Sequence, residues 1–101
     1  MLTYEKHRGA VVVKLTGELD HNIADGLRAE LDAFIENNQV RRLVFDLDDL
    51  EFMDSSGIGM MIGRYKLMAR RGGSVEIKCA NRRIDRIFEM AGLYQIIKKM
   101  A

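Results

Sequence analysis

Glu51-Phe52-Met53-Asp54-Ser55-Ser56-Gly57-Ile58-Gly59-Met60-Met61-Ile62-Gly63-Arg64-Tyr65-Lys66 is the stretch on which the reading turns. Asp54, Ser55 and Ser56 each carry a side-chain oxygen able to accept from the free amides of a helix's first turn. They predict a helix from about Ser55 to Arg70, broken by Gly72-Gly73. Just upstream, Arg42-Leu43-Val44-Phe45-Asp46-Leu47 is a nearly continuous apolar run that suits a central strand covered on both faces, and it ends at the acidic turn Asp48-Asp49. Just downstream, Ser74 to Cys79 alternates as a strand does. Strand, helix and strand in succession imply a partly parallel sheet with right-handed crossovers.

Further out, Leu2 to His7 and Ala10 to Thr16 read as two strands of a hairpin turned at Arg8-Gly9. From His21 to Asn37, the apolar positions Ile23, Leu27, Leu31, Phe34 and Ile35 recur at helical spacing, with Asp20 or Asn22 placed to cap the start. A third helix, about Asn81 to Ala91, aligns Ile84, Ile87, Phe88 and Ala91 and stops at Gly92. Leu93 to Met100 reads as a short strand or a last helical turn. The expected order is β-β-α-β-α-β-α: an α/β fold with a mixed sheet packed by helices.

With 101 residues, there is room for one domain, spanning 1–101, and not for two. A composition 48% hydrophobic and 31% charged fits a globular protein, and a formal charge of +1 offers no general pull toward nucleic acid or anionic membrane. The charges at Glu5, Lys6, His7 and Arg8 fall where a signal peptide needs an apolar stretch, and no run approaches membrane-spanning length, so the cytoplasm is the expected compartment. Cys79 alternates with Val75 and Ile77 and reads as a buried, inert thiol.

The helix after Asp54 is unusual. At 100° per residue, Met61, Ile62, Tyr65 and Ala69 cluster on one side, the expected core face, leaving Gly59, Met60, Gly63 and Leu67 on the opposite side. Outer faces normally carry Lys, Glu or Gln. Each interior glycine costs about 1 kcal/mol relative to alanine, so two of them on an outer face imply that something approaches the backbone closely. Such an apolar stripe is a docking surface for another protein, or else a face that the fold covers with its own termini or another helix. Two hydroxyls in a row are more than capping needs.

Phe52-Met53-Asp54-Ser55-Ser56-Gly57-Ile58-Gly59, continuing through Ile62-Gly63-Arg64-Tyr65-Lys66, resembles the signature of bacterial STAS-domain anti-sigma factor antagonists, most closely the sporulation members that oppose an anti-sigma-F factor. Leu15-Thr16-Gly17-Glu18-Leu19-Asp20-His21 is similar to the family's second strand and following loop, and Ile87-Phe88-Glu89-Met90-Ala91-Gly92-Leu93 to its last helix and turn. The resemblance implies the STAS fold and a non-enzymatic role in transcription regulation by partner switching. The unphosphorylated antagonist binds an anti-sigma factor that is itself a GHKL-type serine kinase, and a sigma factor is released. The kinase then phosphorylates the antagonist, and a PP2C-type phosphatase restores it. The family's acceptor maps onto Ser55, with Ser56 disfavoured. The implied partner surface comprises Asp20, Asp54, Ser56, Gly57, Ile58, Gly59, Met60, Gly63 and Leu67, and no cofactor, metal, membrane or direct nucleic-acid contact is implied.

Three other chemistries compete. A serine hydrolase needs a base beside its nucleophile, but only His7 and His21 exist and Ser55 lacks the Gly-x-Ser-x-Gly elbow. A phosphocarrier could use His21, which follows Asp20 at a helix start. Gly57-x-Gly59-x-x-x-Gly63 misses the dinucleotide fingerprint by one position. Within the family, antagonists serving general stress sigma factors or non-sigma outputs share the serine and its helix.

Overall fold

A computed structural model of the protein describes residues 2–79 and 81–100. The hairpin β1 (Leu2–His7) and β2 (Ala10–Leu15) turns at Arg8 and Gly9, which both take positive φ, as a tight two-residue turn requires. A short β3 (Gly17–Leu19) leads into α1 (His21–Asn38), which the left-handed Gln39 ends. Then follow β4 (Arg42–Asp46), β5 (Leu50–Met53), α2 (Ser55–Arg70), β6 (Ser74–Lys78) and α3 (Arg82–Met90). The chain closes with both forms expected of its last residues: a 3-10 turn at Leu93–Gln95 and then β7 (Lys98–Lys99).

Five strands form one sheet in the order β1-β2-β4-β6-β7, antiparallel at β1 and parallel elsewhere. The strand order advances in one direction, so successive right-handed crossovers bring the helices onto the same face. The registers Val11↔Leu43↔Val75 and Val13↔Phe45↔Ile77 run across that face, and all six side chains are buried. Leu31 and Ile35 of α1, Met61 and Met68 of α2, and Ile84 and Phe88 of α3 complete the core. At the β1 edge, Tyr4 stacks on Phe34 of α1 with ring centroids 4.1 Å apart.

The opposite face departs from the expectation of a doubly covered central strand. Val44 is buried there, but its register neighbours are Val12 and Glu76, and Lys14, Arg42, Asp46 and Lys78 share the face. Arg42 donates two hydrogen bonds to Glu76, at 2.7 and 3.0 Å, and Lys78 pairs with Asp48. Val44 is thus buried on a face whose other side chains are mostly long and charged, and the apolar run of β4 reflects its central position.

Two short strands escaped the sequence reading. β3 and β5 pair in parallel as a separate ribbon that joins the sheet to the heads of α1 and α2. Runs of three and four residues carry too little periodicity to register as strands.

The facing of α2 is the main correction. Its buried residues are Gly57, Met60, Met61, Arg64 and Met68, spaced i, i+3, i+4, i+7 and i+11, whereas Ile62 and Tyr65 are half-buried and Ala69 is exposed. Met60, expected on the outer face, is only 4% exposed. The core stripe is rotated because α1 packs beside α2 and covers that flank. The Arg64 guanidinium, buried between the helices, lies 2.8 Å from Asp32 of α1. Burial lowers the guanidinium's affinity for its proton and Asp32 opposes that effect.

Removing Asp32 leaves the buried Arg64 guanidinium uncompensated, whereas replacing Arg64 by an apolar side chain of similar length leaves only a carboxylate that is partly exposed and can be hydrated. Because Asp32 is partly exposed, Asp32→Ala is expected to lower unfolding free energy by about 1–3 kcal/mol, less than a fully buried pair would lose. Arg64→Met is expected to cost under about 1.5 kcal/mol. Urea unfolding of both variants checks this ordering.

Candidate functional site

The site is built where α1 and α2 begin. Asp20 caps α1, its carboxylate accepting from the amides of Asn22 at 3.0 Å and Ile23 at 3.2 Å. Asp54 caps α2, accepting from the Ser56 amide at 2.9 Å. The other oxygen of Asp54 accepts from the His21 amide at 3.2 Å, and the His21 imidazole stands 3.9 Å away. The Asp54 amide donates to the Leu19 carbonyl. One carboxylate thus ties the heads of both helices together and places Asp20 and Asp54 at the same edge.

Partial burial pushes the Asp54 carboxyl up, but the amides of Ser56 and His21, the Ser56 hydroxyl and the nearby imidazole together hold it below its ordinary value. The two serines are thereby distinguished. Ser56 is half-buried and its amide is held by Asp54, whereas Ser55 is exposed at the first position of α2. No hydrogen bond joins a histidine ring to either hydroxyl among the described residues, so a nucleophile–base pair is not formed there.

The other expected surface residues separate into two groups. Gly57 is buried, and a Cβ built on it would lie 2.5 Å from Met53 Cγ and 3.0 Å from Leu19 Cδ2. Gly57 therefore serves close packing of α2 on the β3/β5 ribbon, and with Met60 it drops out of the exposed surface. Gly59 is exposed, Ile58, Gly63 and Leu67 are half-buried, and a Cβ at Gly59 or Gly63 would meet nothing within 4 Å. Neither of these glycines answers an internal packing need. Between the helices, His21, Ala24, Asp25, Arg28, Ser56, Gly59 and Met60 line an open cleft. The cleft's α1 wall, Ala24, Asp25 and Arg28, was not among the expected residues; only the contact between the helices reveals it.

Cys79 is half-buried, and its thiol lies 3.5 Å from the Asn81 carbonyl oxygen. Burial pushes that thiol up, away from nucleophilic character. No helix among the described residues is long and apolar enough to cross a membrane, and no group of three or more metal-ligating side chains occurs among them.

The family model for the STAS domain matches residues 1–101. The chain belongs to the STAS domain family. It is 42% identical over 93 residues to an anti-sigma F factor antagonist of Paenibacillus polymyxa, covering 92% of this chain and 80% of that one. It is 31% identical to the anti-sigma-B factor antagonist of Bacillus subtilis, covering 92% and 84%. The structure of the anti-sigma factor antagonist SpoIIAA in its unphosphorylated form superposes with a TM-score of 0.87 at 27% identity, covering 100% of this chain and 89% of that one. The phosphorylated form of Bacillus SpoIIAA superposes at 0.78, also at 27% identity, covering 100% and 92%.

Within this STAS domain, the three glycines of α2 are expected to respond oppositely to alanine. Gly57→Ala should destabilise by about 1–3 kcal/mol through overpacking, whereas Gly59→Ala and Gly63→Ala should each stabilise by about 0.5–1 kcal/mol. Thermal or urea denaturation reads both signs.

Asp54 gives a pH signature. Its folded-state proton affinity is depressed, so its contribution is complete above its ordinary value of 3.8 and is lost as pH falls through the lower folded value. Asp54→Asn keeps the cap and removes the charge. Its urea midpoint should fall less steeply than that of the unmodified protein as pH is lowered through the acid range, and parallel profiles would refute the assignment.

Proposed function

We propose that this chain is an anti-sigma factor antagonist that works by partner switching, with Ser55 as the switch. Acting in the cytoplasm as a single STAS domain, it binds an anti-sigma factor of the GHKL serine-kinase type when unphosphorylated and frees a sigma factor. Phosphorylation of Ser55 ends that binding, and a PP2C-type phosphatase resets it. The observation that carries this reading is the contrast between the serines: Ser56 is half-buried with its amide held by Asp54, while Ser55 presents an exposed hydroxyl at the first position of α2. Support comes also from the relatives' names and from the unphosphorylated and phosphorylated forms of SpoIIAA.

The partner surface starts from Ser55 with Asp20, Asp54 and Ser56 at its head and runs down α2 over Ile58, Gly59, Gly63 and Leu67. Gly59 and Gly63 leave α2 bare of side chains, so a partner can approach its backbone. A phosphate on Ser55 would add roughly 1.5 to 2 negative charges beside Asp54. At an effective dielectric of about 20, two unit charges about 6 Å apart repel by roughly 3 kcal/mol. The helix N-terminus returns only about 0.3 to 1 kcal/mol. A partner that covers the phosphate and Asp54 together must desolvate both, and a penalty of about 3 kcal/mol at that interface lowers affinity more than about a hundredfold without refolding anything.

The high identity to the Paenibacillus polymyxa protein favours the sporulation sigma factor, and the similarity to the sigma-B antagonist supports a stress pathway as the second reading. Incubation with the candidate kinase and ATP, followed by mass spectrometry, should place one phosphate on Ser55 and none on Ser55→Ala. Ser55→Asp should bind the kinase at least about tenfold more weakly than Ser55→Ala, and equal affinities would overturn the mechanism.

A further inference from the structure

A second cavity lies away from the α2 surface, between β2, the β3/β5 ribbon and the first three turns of α1. It measures about 170 Å³. Its walls are aliphatic: Leu2, Leu15, Leu19, Ile23, Leu27 and Leu50. Glu18 from β3 and Glu30 from α1 line it as well. Both glutamates are exposed, and neither forms an ion pair among the described residues. Glu30 accepts one hydrogen bond, from the Tyr4 hydroxyl at 3.3 Å.

Two features distinguish this hollow from an ordinary surface dimple. Ile23 leaves 48% of its surface exposed at the mouth, although it stands one residue before the buried Ala24 of a well-packed helix. Apolar cavities of about 150 Å³ take up ligands as large as benzene, so this volume suits six or seven non-hydrogen atoms. Apolar walls with two carboxylates that no cation pairs with among the described residues complement an aliphatic chain that ends in a positive charge.

We propose that this cavity is a binding site for a small alkylammonium ligand, whose hydrocarbon chain lies along Leu19, Ile23 and Leu27 and whose ammonium is held by Glu18 and Glu30. The site is separate from Ser55 and stands whether or not the partner-switching reading holds. Leu19 links the two regions, because it lines the cavity and is also a near neighbour of Gly57.

Methyl and amide NMR of the full chain, titrated with hexylammonium chloride, tests the assignment. Saturable shifts confined to Leu15, Thr16, Leu19, Ile23, Leu27 and Leu50 are expected, with hexanoate and hexanol binding at least about tenfold more weakly. The double variant Glu18→Gln, Glu30→Gln should lose hexylammonium binding about tenfold while keeping its melting temperature within a few degrees. Absence of a saturable shift in the unmodified protein would overturn the proposal, as would hexanol binding equal to that of hexylammonium. Shifts at these residues that appear only on adding a purified protein partner, or on raising the concentration of the chain alone, would reassign the cavity to a polypeptide contact and equally overturn it.

Discussion

The carboxylate of Asp54 holds the first turns of two helices at once, and the geometry of the whole upper edge depends on that double grip. One oxygen satisfies the Ser56 amide and the other the His21 amide. Orphan amides at helix starts need partners, and here a single side chain serves both starts. The arrangement fixes where Asp20 lies relative to Asp54, holds Ser56 by its amide in a half-buried position and leaves Ser55 exposed. A local capping requirement therefore determines which of two adjacent hydroxyls is available for chemistry.

Much of this was legible before any coordinates. The hairpin turn at Arg8-Gly9, a cap at Asp20 or Asn22, another among Asp54, Ser55 and Ser56, and the strand–helix–strand core follow from turn chemistry, capping and period, which act within a few residues; the structure selects Asp20 and Asp54 as the caps. The facing of α2 did not follow, for a physical reason. Its buried stripe includes Gly57 and Arg64, neither of which a hydropathy pattern assigns to a core. Gly57 is inside because Met53 and Leu19 crowd it, and Arg64 because Asp32 on another helix compensates its charge. Leu19 and Asp32 both belong to segments distant along the chain from α2, and such contacts leave no periodic mark. Met60 was misplaced with them, since the neighbour that covers it is α1.

The glycines of α2 do not act as a group. All three lie in one helix, yet Gly57 is compelled by packing while Gly59 and Gly63 border open space. Spacing alone cannot separate a glycine needed by its own fold from one left bare toward solvent. The distinction decides which part of the Asp-Ser-Ser-Gly signature is architecture and which part is surface.

The sheet's far edge has a bearing on handling the protein. An exposed edge strand invites pairing with another chain, and length and flatness make it worse. Here β7 has only two residues, Lys98 and Lys99, both exposed, and Lys99 is drawn toward Asp85 by an ion pair. A strand arriving from a second molecule would find few free amide and carbonyl groups and two like charges. At this edge the sheet's parallel growth thus stops at a short, positively charged strand.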